Sequence, residues 1–412
     1  MALSNFKTLL GAIPVFAALC AAPNEADAAC TLKSIGKSYV RPGLSSSFDA
    51  RKFIDIINDR MKDTVGFASL MQDKHGRRVL FTRRGWAVSP CDSAEEAQPF
   101  TLDTVANWGS VSKIITTATV LNTVRRSPNA KLSSKLSEML PSRWRAGMHS
   151  RFNDVDVSML LQHRGGFRRS GSGPWHPSNM RNRLQSGDAG PNRPAVGDRK
   201  YSNTSMGVFH YSTAFLWSPA WTHATEKKFK KLPNKTYDES IAAEAATVYN
   251  NSTRRFVFDP AGVSYATCNP VTAKIEGKPF ALAYGSRSDR TGSRVSSKTR
   301  HCAAGGWAMS AKDMMRVIRG IAHGDDIIDP AQYRLMENRA KPNEAMGYWK
   351  VNGLEGGLGF GHNGKIHAGN GAFVGYVVNF PNGYQFVLVT NTDIPSGRLK
   401  AAAVEAYNAA KS

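Results

Sequence analysis

Two hairpin patterns, one near each end of the chain, constrain its fold more than any other feature. Residues 65–81 read VGFASLM, a turn at Asp73-Lys74-His75-Gly76, then RRVLF. Residues 372–380 and 384–391 repeat the arrangement across Pro381-Asn382-Gly383. Apolar runs of strand length joined by such turns read as antiparallel hairpins. Each end also carries a helix. Phe53, Ile54, Ile56, Ile57 and Met61 fall near helical spacing behind Asp49, and residues 398–410 are Ala-rich. Between the ends, residues 126–300 offer helical fragments and polar loops but few strands. Residues 170–193, dense in Gly, Pro, Ser and Asn, read as a loop. The pattern predicts an α+β architecture, an antiparallel sheet flanked by helices. Residues 30–125 and 290–412 would form one discontinuous sheet domain around a helix-rich insertion, 126–289.

The 412 residues are 41% hydrophobic and 21% charged, which excludes a disordered or collagen-like chain. A mean hydropathy of −0.36 argues against a polytopic membrane protein. Lys7 precedes an uncharged stretch, 8–22, shorter than the roughly 20 residues of a spanning helix. Ala26-Asp27-Ala28 follows as a small-x-small cleavage site, so residues 1–28 read as a signal peptide and the product as periplasmic or secreted. Cys30, Cys91, Cys268 and Cys302 then remain, suiting two disulfides in an exported chain. Sequence neighbourhood favours Cys30–Cys91 and Cys268–Cys302. No C-x-x-C pair suggests zinc. With 54 Lys+Arg against 32 Asp+Glu, the net charge is +22. Its basic runs are scattered and no nucleic-acid motif accompanies them. The excess fits attraction to anionic cell-envelope polymers or a solvated basic surface.

Chemistry concentrates in three short motifs. Trp108-Gly109-Ser110-Val111-Ser112-Lys113 opens a helix that reads as amphipathic, with apolar residues at 111, 114, 115, 118 and 121. Ser110 and Lys113, three apart, share a face near the positive end of the helix dipole. A serine hydroxyl needs such a neighbour to take its proton before it becomes a strong nucleophile. A capping serine with a surface lysine gives the same spacing, and Ser-x-x-Lys also begins at Ser4 and Ser34. Tyr201-Ser202-Asn203 follows a loop, and a phenol beside lysines can serve as a base. Tyr-x-Asn recurs at Tyr249, so spacing alone does not choose. His362-Asn363-Gly364 precedes the C-terminal hairpin, where a strand edge presents a histidine and backbone N–H groups; a plain Gly-rich turn reads the same way. His362 and His367 lie five apart without a nearby acid, so neither metal nor cofactor is expected. No G-x-S-x-G elbow is present, against an α/β-hydrolase.

Taken in order, these pieces resemble the serine β-lactamase and penicillin-recognising superfamily. The class C type, with its esterase and D-amino-acid peptidase relatives, is the most similar, since it uses Tyr-x-Asn. Further segments carry the resemblance: KLSSKLSEMLP at 131–141, VDVSMLLQHRGGF at 155–167, PAVGDRKYSN at 194–203, FDPAGV at 258–263, AAGGWAMSAKD at 303–313, and residues 361–375. The likeness spans about residues 50–395 and selects Tyr201 over Tyr249, which lacks the Pro/Gly-rich lead-in.

The resemblance implies a β-lactamase/transpeptidase-like fold and an exported serine hydrolase that works through an acyl-enzyme. Its substrate would be a D-Ala-type peptide, a β-lactam or a small ester. A penicillin- or ligand-binding protein that does not hydrolyse is the alternative. Ser110 would be the nucleophile, Lys113 its proton-handling partner, and Tyr201 the base. Asn203 would bond Lys113 or the substrate amide. His362 would polarise Tyr201 or meet substrate. The backbone N–H groups of Ser110 and of Lys365, next to Gly364, would form the oxyanion hole. The third motif departs from Lys-Thr-Gly: His362 carries less dependable charge at pH 7, and Asn363 replaces a hydroxyl used on substrate carboxylates. The wording His163-Arg164-Gly165-Gly166 also departs, in a segment read as structural.

Overall fold

The computed structural model describes residues 32, 35–44, 47–169, 176–270, 278–300, 302–324 and 326–411. The expected signal peptide and Cys30 lie outside them. The strands are β1 (Gly36–Val40), β2 (Gly66–Gln72), β3 (Arg78–Val88), β4 (Gln98–Pro99), β5 (Val105–Asn107) and β6 (Ala266–Thr267). They continue with β7 (Ala308–Ser310), β8 (Trp349–Val351), β9 (Gly359–Ala368), β10 (Gly371–Asn379) and β11 (Gln385–Thr390). One sheet runs β1-β3-β2-β11-β10-β9-β8, with β4 beside β3; a small second sheet runs β5-β7-β6. All these pairings are antiparallel. Both expected hairpins are present, as β2–β3 and β10–β11. They meet through β2 and β11, which joins the two ends of the chain in one sheet.

Period-2 alternation explains why this sheet is buried on both faces. Val374, Tyr376 and Val378 of β10 and Phe386 and Leu388 of β11 enter one core. Phe373, Val377, Val387 and Val389 enter the other. Polar residues are therefore nearly absent from these strands. The first core is closed by α1 (Ala50–Arg60) and the C-terminal helix, whose apolar faces bring Phe53, Ile54, Ile57, Leu399, Ala403 and Tyr407 together. Burial of each large apolar side chain contributes about 1.5–3 kcal/mol. Asp49 caps α1, its side chain accepting from the N–H groups of Arg51 and Lys52, both at 3.0 Å.

The second core packs against the remaining helices, including α2 (Ser112–Arg126), α3 (Val157–Leu161), α4 (Pro177–Gln185), α5 (Asn203–Gly207), α6 (Phe209–Trp217), α7 (Asn234–Thr253), α8 (Cys302–Gly305) and α9 (Ala311–His323). The C-terminal helix is α10 (Ser396–Lys411). Two expectations need correction. Residues 176–193 are not all loop: Pro177 starts α4, and Met180 and Leu184, four apart, bury its inner face. Nor is α2 amphipathic, because every residue from Ser112 to Thr123 is buried. Its threonines make this tolerable. Thr117, Thr119 and Thr123 donate to the carbonyls of Lys113, Ile115 and Thr119 at 2.8, 2.9 and 2.8 Å. A disulfide joins Cys268 to Cys302, the second expected pairing. Among the described residues no helix is long and apolar enough to cross a membrane.

Candidate active site

Ser110 is delivered to the head of α2 by β5 and a tight turn. Asn107 fixes that turn: its Oδ1 accepts the Gly109 N–H at 2.8 Å and its Nδ2 donates to Gly306 O at 3.0 Å. Gly109 has φ +51°, and a Cβ there would lie 2.7 Å from Lys365 N. Glycine is therefore required twice, by backbone conformation and by the close approach of β9. Ser110 follows in a 3₁₀ turn, Gly109–Val111, that runs directly into α2.

Lys113, one turn on, is fully buried. Its Nζ donates to Ser110 Oγ at 3.0 Å and to the carbonyl of Ala304 in α8. Burial lowers its pKa, opposed only in part by the Tyr201 phenol. A lysine held this way gives up its proton more readily than one in water. Tyr201 precedes α5, whose N-cap Ser202 accepts from Thr204 N at 3.1 Å. The Tyr201 hydroxyl lies 2.7 Å from Ser110 Oγ and donates to Asn203 Oδ1 at 3.0 Å. With Tyr201 donating to Asn203, the Ser110 hydroxyl is left to donate to Tyr201. Asn203 thus bonds the tyrosine rather than Lys113.

The third motif lies inside β9. Gly364 pairs with Gly375, and a Cβ on Gly364 would fall 2.6 Å from Ser110 N and 2.1 Å from Trp108 O. The strand therefore runs against the serine turn, with Lys365 N next in line. His362 is buried, its Nδ1–H donating to Asn363 O at 2.7 Å while Nε2 has no hydrogen-bond partner among the described residues. Burial, with Lys113 nearby, pushes its pKa down to about 3, so it is neutral. Its ring centroid lies 6.3 Å from that of Tyr201, and no hydrogen bond joins the two among the described residues. Lys365 is ion-paired with Asp393, which His367 also approaches at 3.5 Å.

These residues share a cleft of about 470 Å³ lined by Ser110, Tyr201, Asn203, His362, Asn363 and Lys365. Arg169, Trp349 and Ser396 line it too, and the sequence reading named none of them as site residues. Trp349 and Ser396 belong to no motif, and Arg169 follows the motif-like segment by two residues. Among the described residues no cluster of His, Cys, Asp and Glu could hold a metal.

The Beta-lactamase family model matches residues 53–212, a span that contains Ser110, Lys113, Tyr201 and Asn203. No curated protein matches the sequence significantly. Among solved structures, a class C beta lactamase from Rhodobacter sphaeroides superposes with TM-score 0.61 at 19% identity, covering 88% of this chain and 98% of that one. A beta-lactamase from Sulfitobacter sp. EE-36 gives TM-score 0.60 at 18% identity, covering 89% and 98%. The chain therefore carries a segment, 53–212, that matches the Beta-lactamase family model and includes the serine helix, and it adopts a β-lactamase-like fold over most of its length.

Proposed function

We propose that the chain is an exported serine hydrolase that cleaves an amide or ester through an acyl-enzyme on Ser110. One observation carries the reading: Ser110 Oγ lies within hydrogen-bond distance of both Tyr201 Oη, at 2.7 Å, and the buried Lys113 Nζ, at 3.0 Å. As Ser110 attacks the substrate carbonyl, its proton passes to one of these two groups. The carbonyl oxygen becomes an anion facing the N–H groups of Ser110 and Lys365, where fixed donors stabilise it. The same Tyr201–Lys113 pair returns the proton to the leaving group, and Tyr201 then activates the water that frees the acyl group. The Cys268–Cys302 disulfide supports an exported setting, since such bonds persist in oxidising compartments.

A D-Ala-type peptide, a β-lactam and a small ester remain the competing substrates. Intact-mass spectrometry after incubation with a fluorescent penicillin, and separately with a fluorophosphonate, tests the reading. An adduct mapped to Ser110 and absent from Ser110→Ala is the expected result. A lasting penicillin adduct identifies a peptidase or a stalled binder. Fluorophosphonate labelling without one points to an esterase or a fast lactamase, which β-lactam hydrolysis separates. No adduct with either reagent overturns the catalytic reading.

A further inference from the structure

We propose that His163 is a positioning residue for Tyr201, clamping the tyrosine from behind and so fixing the phenol against Ser110. The proposal rests on the acyl-enzyme reading above. His163 follows α3 and is buried. It bonds both chain neighbours of Tyr201. Its carbonyl accepts the Lys200 N–H at 3.0 Å, and its Nδ1 lies 3.2 Å from Ser202 N and 3.0 Å from Ser202 O. The imidazole also faces the Tyr201 ring, with centroids 5.1 Å apart and planes inclined by 30°. Trp349 completes a triangle of rings, 5.5 Å from His163 and 6.2 Å from Tyr201. Arg199 holds Trp349 in turn. Its guanidinium lies 4.2 Å from the indole and donates to the carbonyls of Pro342, Ala345 and Tyr348.

Two features of His163 are unfavourable and call for a reason. Its φ is +59°, in the left-handed region that most residues with a β-carbon avoid. Its Nε2 is buried without a hydrogen-bond partner among the described residues, which costs free energy. Asparagine would adopt this φ more readily, and its side-chain amide offers both a donor for the Ser202 carbonyl and an acceptor for the Ser202 N–H. What asparagine lacks is the ring, so the contact with Tyr201 is the property that selects histidine here. Burial, together with the charge of Lys113, keeps the imidazole neutral, so it packs on the tyrosine without setting a second cation beside the lysine. A residue that acts this way changes the geometry of proton transfer without touching substrate, and a displacement of about 1 Å can cost on the order of 100-fold in rate.

The test is the rate at which a fluorescent fluorophosphonate labels Ser110 in the full chain. It compares wild type, His163→Asn, His163→Phe, Tyr201→Phe and the double variant His163→Asn/Tyr201→Phe, with melting curves for each. His163→Asn should slow labelling by about 10- to 100-fold. His163→Phe, which keeps a ring, should recover most of the loss. In the Tyr201→Phe background the asparagine should add little, because the group it misplaces is gone. That coupling is read from rate ratios, so it decides the matter even where the asparagine lowers the melting temperature. Wild-type labelling by His163→Asn, or an equal loss in both backgrounds, overturns the positioning role and leaves the acyl-enzyme reading intact. No labelling of the wild type overturns both.

Discussion

On the helical wall of the cleft, Lys113, Tyr201 and Asn203 hold Ser110 and one another through side-chain atoms, at 2.7–3.0 Å. On the facing wall, β9 meets the same serine with its main chain, so closely that Gly109 and Gly364 have no room for a Cβ. The side chains of that strand are electrically quiet: His362 is neutral and Lys365 is matched by Asp393. The contrast divides the labour of the proposed reaction. Proton movement belongs to the helical wall, and the shape of the site and its N–H donors belong to the strand. Substitutions on the first wall should then act through the chemistry of a side chain, and those on the second through space.

The largest expected effect tests the helical wall. Tyr201→Phe removes one hydroxyl and leaves the packing in place, and should lower the acylation rate by about 10²–10⁴-fold if the phenol is the base. A rate within about twofold of wild type would hand proton transfer to Lys113 alone. Next comes Gly364→Ala on the strand wall. The new methyl would meet Trp108 O at 2.1 Å and Ser110 N at 2.6 Å, both backbone atoms that cannot swing aside. Strand and turn must separate, so labelling of Ser110 should fall by roughly 10- to 100-fold. A variant that labels normally would show that close apposition of β9 is not needed, and the division of labour would fail.

How much of this was legible in the sequence follows from the range of the forces involved. The β2–β3 and β10–β11 hairpins, α1 with its Asp49 cap, and α10 are local patterns, and all are present. Helix α4 was hidden because six of its nine residues are polar, and its buried face carries only Pro177, Met180 and Leu184. The burial of α2 was hidden because its threonines satisfy themselves within the helix, which a polar/apolar pattern does not record. Ser110, Lys113 and Tyr201 were named from motif order, and they do converge. The state of His362 was beyond a motif, since it depends on burial and on a lysine far away in sequence. Trp349 reaches the cleft on a short edge strand that no spacing rule ties to Ser110.

The smallest expected effect sharpens the comparison most, because it concerns a buried strand-wall side chain beside Lys113. In the unfolded chain His362 takes up a proton as the pH falls through its ordinary value of 6.5, whereas the folded protein resists until about 3. Between those values the unfolded state binds a proton that the folded state does not, so stability is lost as the pH drops. One pH unit across that window costs on the order of 1 kcal/mol. His163, depressed in the same direction, adds to the loss. His362→Gln keeps an acceptor and removes the titration. Its melting temperature should therefore fall less steeply than that of wild type between pH 6.5 and pH 3. At neutral pH acylation should stay within about tenfold of wild type, the worth of one ordinary hydrogen bond. An unchanged slope would mean that His362 already carries a proton in the folded protein, and the strand wall would no longer be neutral. A loss as deep as that of Tyr201→Phe would move His362 into proton transfer and dissolve the distinction between the two walls.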